Sequence, residues 1–474
     1  MSRPLLRPLA LALTLAAGLG LGPASASVPA ASHGAAGIGD AYYPQDGNGG
    51  YDVTHYDIHD TYRIHDGRLS GWTDVKARST EVLDRLDLDL MLTPTAVQVD
   101  GATARFTKPT KHELQVQLPH TLASGTTFTV RVRYHGFPAR LRYDGQKPWV
   151  ADSKEAMAIN EPHIAPWWFP ANDHPRDKAS YDVTVRVPKG NRVISNGELV
   201  GRTADDTWST WHWRIGEPIS TYLAFFAAGR FAVETGTSSG LPYTLAVSKR
   251  LPRAWQSDAM RALRRTPGIV AWEASRLGRY PYRSTGGVVT SLLPGFALEN
   301  ASRPTYPYWG SDRSATSVEV HELAHQWFGD DVALSRWRDV WLNEGFATWM
   351  EWLYAEQHWG SPAQHRLIRT YASHRAGESF WKVRVGAPGR KHLFDMPVYD
   401  RGAMTLQALR HRIGGADFST LLRTWVRQHH GGTVRVGQFE QLAEQVSGEQ
   451  LDGFFHAWLD SRTKPARTAA NGLA

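Results

Sequence analysis

The sequence predicts a multidomain chain in which an all-β amino-terminal half precedes a domain rich in helices. Three observations lead there. Apolar and polar residues alternate with a period of two up to about residue 235, and the apolar spacing then turns helical. His321 and His325, four residues apart, fall inside one of the helix-compatible runs.

A chain of 474 residues with 42% hydrophobic and 21% charged residues has room for two or three domains with sizeable cores. Arg3 and Arg7 precede an apolar stretch from Leu9 to Leu21, and Ala24-Ser25-Ala26 supplies small residues suited to cleavage. Residues 1–26 therefore read as a signal peptide, and the protein as secreted after cleavage near Ala26. The alternative is a membrane anchor, but the run is shorter than the roughly 20 residues a bilayer needs. No later segment is apolar enough to span a membrane. Residues 27–40, rich in Ala, Gly, Ser and Pro, read as a flexible leader.

An amino-terminal β-domain is expected over residues 41–235. Strand-like alternation runs from Tyr51 to Ile58 and from Leu86 to Leu90, with further strands at Thr127 to Tyr134, Tyr181 to Val187 and Tyr222 to Phe231. A second domain is expected over 236–461, with helices at Ser257 to Leu277, Ser314 to Phe328, Asn343 to Trp359, Gln364 to His374, Arg401 to Arg412 and Val436 to Val446. Residues 462–474 are small and polar and read as a flexible tail.

The chain has no cysteine, which excludes a Cys-ligated metal and a Cys nucleophile. The net charge of +7 is modest for this size, and the densest basic stretch, Lys249 to Arg265, has the spacing of a solvated helix face. With no nucleic-acid motif there, nucleic acid is not an expected partner.

His321-Glu322-Leu323-Ala324-His325 carries the strongest chemical signal. Two histidines four apart on a helix lie about 5–6 Å apart at Cβ, so both rings can reach one ion. Glu322 then borders the open position, where a carboxylate can take a proton from water. A catalytic zinc takes three protein ligands, and Glu344, in Asn343-Glu344-Gly345-Phe346-Ala347 with eighteen residues between it and His325, provides the third. One zinc per chain is expected. Without a metal, Glu344 would be an acidic residue favoured at a helix start.

These motifs resemble the zinc signature of the gluzincins and, more narrowly, the aminopeptidase N and leukotriene hydrolase family, over about residues 43 to 465. Gly295-Phe296-Ala297-Leu298-Glu299-Asn300 is similar to that family's Gly-x-Met-Glu-Asn, with Leu298 in place of Met and the Gly one position early. The resemblance implies that Glu299 grips the free amine of a peptide, and a fixed carboxylate near zinc suits an ammonium group. Asn160-Glu161-Pro162-His163 and the following Trp167-Trp168-Phe169-Pro170 align with the family's β-domain; Glu161 then falls at a second amine-binding position, although Ile159 replaces the usual Gln. Val398-Tyr399-Asp400-Arg401-Gly402-Ala403 matches a segment whose Tyr donates to the oxyanion, a role implied for Tyr399.

The resemblance implies a saddle-like β-sandwich followed by a thermolysin-like α+β zinc peptidase domain. It implies a zinc aminopeptidase whose partners are peptides with a free amino terminus. A large helical domain that closes the cleft of many relatives has no counterpart after Glu344, so a more open groove, or one covered by a partner chain, is expected. A zinc endopeptidase, a non-catalytic peptide-binding protein, and the epoxide hydrolysis known in one branch of the family remain as alternatives. Oligomeric state and side-chain preference leave no trace in these motifs.

Overall fold

The computed structural model describes residues 32–473. The signal peptide read over residues 1–26 lies outside them. The amino-terminal domain is built on an eight-stranded sheet whose central members are Trp208–Ser220, Lys178–Pro188, Tyr51–Arg63, Arg68–Ser79 and Thr127–Gly136, with two four-stranded sheets beside it. The strand predicted from Tyr51 extends to Arg63, and its buried side chains change phase after Val53, where the pairing with Arg68–Ser79 slips by one residue. That bulge lets Tyr51 and Val53 and then Tyr56, Ile58 and Tyr62 all face the core.

The second domain opens with a four-stranded sheet, Phe231–Ser238, Leu241–Ser248, Thr285–Val289 and Thr305–Tyr306. Its longer helices are α1 (Arg253–Leu263), α2 (Thr266–Leu277), α3 (Arg313–Ala324), α4 (Trp341–Trp359), α5 (Ala363–Ser373), α6 (Met396–Ile413), α7 (Gly415–His429) and α8 (Val436–Ser447). The single helix expected from Ser257 to Leu277 is therefore two. Pro267 sits in the first turn of α2, where its missing N–H costs nothing, and the chain breaks just before it.

Four other expectations are corrected. The leader is not free over its described part: Ser32–His33 pairs in parallel with Leu83–Asp89, and buried Asp40 accepts hydrogen bonds from the Trp337 amide at 2.8 Å and contacts His174 at 3.1 Å. The predicted strand from Tyr222 to Phe231 is interrupted, because Thr221–Leu223 forms a 3₁₀ turn before Phe226–Gly229. Phe231–Ser238 pairs with the second domain's Leu241–Ser248, which moves the domain boundary from 235 to near residue 230. The tail also folds back. Leu473 is buried, the Trp458 indole donates to the Asn471 carbonyl at 3.1 Å, and Arg412 donates to the Ala470 carbonyl.

The two domains meet through main-chain carbonyls. Asn196 donates to Ala301, Arg303 to Gly197 and Lys178 to Asp331, so the sheet edge of one domain is tied to the loops of the other. No helix among the described residues is long and apolar enough to cross a membrane.

Candidate metal and substrate site

Asp312 starts α3 by accepting a hydrogen bond from the Ala315 amide at 3.0 Å. The helix ends at Ala324, four residues short of the predicted Phe328, and His325 is its C-cap. His321 and His325 lie one turn apart with ring centres at 4.8 Å. Glu344, in the first turn of α4, places Oε2 at 3.3 Å from Nε2 of His321 and 3.5 Å from Nε2 of His325.

The outer nitrogens are held separately. His321 Nδ1 lies 3.0 Å from Glu351 Oε1, and His325 Nδ1 lies 3.0 Å from the Phe328 carbonyl. Each imidazole thus has one nitrogen anchored and the other turned toward a common point with the Glu344 carboxylate. Two nitrogens and one oxygen converging in this way fit zinc, and the anchoring of the far ring nitrogens is the arrangement that fixes metal-binding histidines.

The electrostatics agree with three groups brought together to share a cation. Burial alone would raise the Glu344 carboxyl, but the positive field of His325 and the hydrogen bonds from both imidazoles bring it down to about 2. Burial alone would lower His321, yet its hydrogen bonds to Glu344 and Glu351 hold it well above the ordinary imidazole range. Glu322 is pushed up to about 8 by burial, partly offset by the two histidines. It therefore exchanges a proton near neutral pH in the metal-free protein.

Glu299, Glu322 and His325 bring ligand-type atoms within 4.8 Å of one another. Glu299 sits on the stretch after Leu298, which pairs with Thr305 at the edge of the second sheet. Its Oε1 accepts from the Tyr222 hydroxyl at 3.1 Å, and its carbonyl accepts from Gln326 at 2.9 Å. Asn300 fixes the turn by donating to the Leu223 carbonyl and accepting from Thr305. Burial raises the Glu299 carboxyl, with His325 opposing.

Glu161 arrives from the amino-terminal domain. Burial, reinforced by Glu299, Glu344 and Glu322, raises its carboxyl well above the usual range, and its Oε1 has no hydrogen-bond partner among the described residues. An unpartnered carboxylate oxygen beside another carboxylate is a place for a cationic group. Tyr399, in the first turn of α6, lies with its ring 6.0 Å from that of His321 and nearly parallel to it. His321, His325, Glu344, Glu322, Glu299, Glu161, Tyr399 and Glu351 line one cleft of about 770 Å³.

The structure thus gathers every sequence-predicted site residue: His321, His325, Glu344, Glu322, Tyr399, Glu299 and Glu161. It adds Glu351 and Tyr222. Glu351 lies seven residues after Glu344 and hence on the same helix face, a spacing visible in the sequence. Tyr222, from the other domain, carries no such signal. His163, for which no role was expected, is buried against Asp46 at 3.1 Å.

Comparison with known proteins matches the peptidase M1 N-terminal domain to residues 54–223 and the peptidase family M1 domain to residues 302–458. The M1 zinc metallopeptidase of Deinococcus radiodurans is 30% identical, superposes with a TM-score of 0.79, and covers 91% of this chain and 99% of its own. A mutant of that protein bound to a Tyr-Ser-Ala substrate superposes at 0.80 with 29% identity, covering 91% of this chain and 100% of its own. Glutamyl aminopeptidase of Bos taurus is 27% identical over 67% of this chain and 35% of its own length. Aminopeptidase N of Lactococcus lactis subsp. lactis is 25% identical over 80% of this chain and 47% of its own. The chain spans between about a third and a half of the length of these curated relatives. Two matched domains in order, with a solved structure aligned along nearly its whole length, place the chain in the M1 family of zinc metallopeptidases.

Proposed function

We propose that this protein is a zinc aminopeptidase that removes residues from the free amino end of peptides. The observation that carries this reading is the position of Glu299, held by Tyr222 beside His325 and Glu322 at the edge of the metal site. A carboxylate there, joined by the unpartnered Glu161, holds an ammonium group and so brings the first peptide bond to the metal ligands.

His321, His325 and Glu344 would hold the zinc, which would supply Lewis acidity toward a carbonyl and toward water. The chain's own residues complete the chemistry. Glu322 takes a proton on its carboxylate from water in the cleft and returns it to the leaving nitrogen. The Tyr399 hydroxyl, which burial keeps protonated, donates to the carbonyl oxygen as charge develops there. Glu351 and the Phe328 carbonyl hold the imidazoles in the orientation that metal binding requires.

Secretion belongs to the same reading and is supported by the basic, apolar and small-residue pattern of residues 1–26. The test is hydrolysis of one peptide, offered free and N-acetylated, to zinc-loaded protein with and without a chelator. Stepwise, chelator-sensitive loss of residues from the free form alone is expected. Internal cleavage of both forms would make the protein an endopeptidase, and tight binding without cleavage would make it a peptide-binding protein.

A further inference from the structure

The cleft is strongly one-sided in charge. Glu161, Glu299, Glu322, Glu344, Glu351 and Asp400 line it, and among the described residues Arg366 is the one Lys or Arg in its lining. Such a cleft attracts the amine of a peptide and repels any carboxylate the same peptide carries. Arg366 is therefore placed against the prevailing charge.

Its place along the cleft follows from its neighbours. Glu299 stands beside His325. His321 lies one helical turn away, and Glu351 holds the far nitrogen of His321. Arg366 packs on Trp352, the residue that follows Glu351 on α4. Glu299 thus stands on the His325 side of the histidine pair, and Arg366, packed on the neighbour of Glu351, on the His321 side.

Arg366 is also held in place without being neutralised. It sits in the first turn of α5, half-buried, with its guanidinium carbon 5.2 Å from the ring centre of Trp352, whose side chain is fully buried. It makes no ion pair among the described residues. Packing on an aromatic face limits its rotamers and leaves the planar donor edge available. Trp309, Phe394 and Met396, which are 44%, 36% and 62% exposed, frame the same cleft with apolar surface.

We propose that Arg366 binds a substrate carboxylate on the leaving-group side of the scissile bond. That carboxylate is either the free carboxyl terminus of a very short peptide or the side chain of an acidic second residue. The proposal rests on the aminopeptidase reading, because that reading fixes which end of the cleft takes the amine.

The test compares kcat and KM for Ala-Ala, Ala-Ala-NH2, Ala-Glu-NH2 and alanine p-nitroanilide with the zinc-loaded wild-type, Arg366→Gln and Arg366→Met proteins. A charge-assisted hydrogen bond predicts that wild type favours a carboxylate-bearing substrate over Ala-Ala-NH2 by at least about tenfold, mainly in KM. The preference should collapse toward unity in both variants. An advantage confined to Ala-Ala identifies the terminal carboxylate, and one confined to Ala-Glu-NH2 identifies the side chain. Arg366→Met keeps the apolar packing on Trp352, so loss of the preference there is a loss of charge and not of fold. Equal rates on all three peptides by wild type, or a preference that either variant retains, would overturn the assignment. Failure of wild type to cleave even alanine p-nitroanilide would instead remove the aminopeptidase reading, and this proposal with it.

Discussion

Gly345 and Gly402 meet where α4 crosses α6: a methyl group on Gly345 would stand 2.9 Å from the Cα of Gly402, and one on Gly402 would stand 2.8 Å from the Cα of Gly345. Both backbones are too close for any side chain. The contact lies one residue from Glu344 and three from Tyr399, so it sets the distance between a metal ligand and the hydroxyl opposite it. Arg401 locks the same crossing from behind, fully buried, with its guanidinium donating to the carbonyls of Val383, Ala457 and Ser461. Gly402→Ala is expected to cost roughly 1–3 kcal/mol of stability through overpacking and to lower activity by parting the two helices. Denaturant unfolding together with kcat at full zinc loading checks both effects, and unchanged values would show that the helices yield without cost.

In the proposed reading Glu322 serves as general base and not as a zinc ligand, with its carboxylate close to His325. Glu322→Ala should therefore keep its zinc and lose about 10²–10⁴ of turnover, the usual reach of a general acid–base group. Metal content and single-turnover rates on the same sample separate the two properties. Retention of substantial turnover would remove Glu322 from the mechanism.

Tyr399→Phe removes one hydroxyl and leaves the ring beside His321 in place. The expected loss is about 10²–10³ in kcat with little change in KM, because the donated hydrogen bond strengthens only as the oxyanion forms. A change confined to KM would mark Tyr399 as a ground-state contact instead.

Zinc affinity should rise with pH. Burial lowers both imidazoles, but Glu344 and Glu351 for His321, and Glu344 and Glu299 for His325, outweigh it and leave both pKa values raised. Each histidine must lose its proton to bind metal, so affinity falls up to tenfold per proton for each unit of pH decrease, about a hundredfold for the pair. Glu344, held near 2, stays ionised throughout. In the metal-free protein the sign reverses for stability: the raised imidazoles stabilise the fold below the ordinary imidazole pKa, and that contribution disappears as pH rises through their raised values. A chelator-competition titration between about pH 6 and 8 reads the proton linkage. A flat profile would show that neither imidazole carries a proton before zinc arrives.

Much of the fold was legible because periodicity is local. The run Tyr51 to Ile58 alternates, and it is a strand; Asn343 to Trp359 has helical spacing, and it is α4. The misses have identifiable causes. Pro267 split one expected helix into α1 and α2. Helix α7 escaped although Phe418, Leu421, Leu422 and Trp425 keep helical spacing. The small, polar stretch from Arg462 looked like a tail because composition does not report that Leu473 and Asn471 dock against the end of the domain.

The sequence by itself determined the candidate chemistry: two histidines one turn apart, the intervening Glu322, a candidate third ligand in Glu344, and the carboxylates and phenol proposed as amine anchor and oxyanion donor. These are properties of spacing on single elements, which a linear chain already contains. Only the tertiary structure decided the relations between elements. It placed Glu161 and Tyr222 from one domain in the same site as Glu299 of the other, explained Gly345 and Gly402 as a helix crossing, and brought Arg366 into the lining of an acidic cleft. Those relations depend on packing between segments distant in sequence, where the position of each side chain is fixed by neighbours that no local pattern names.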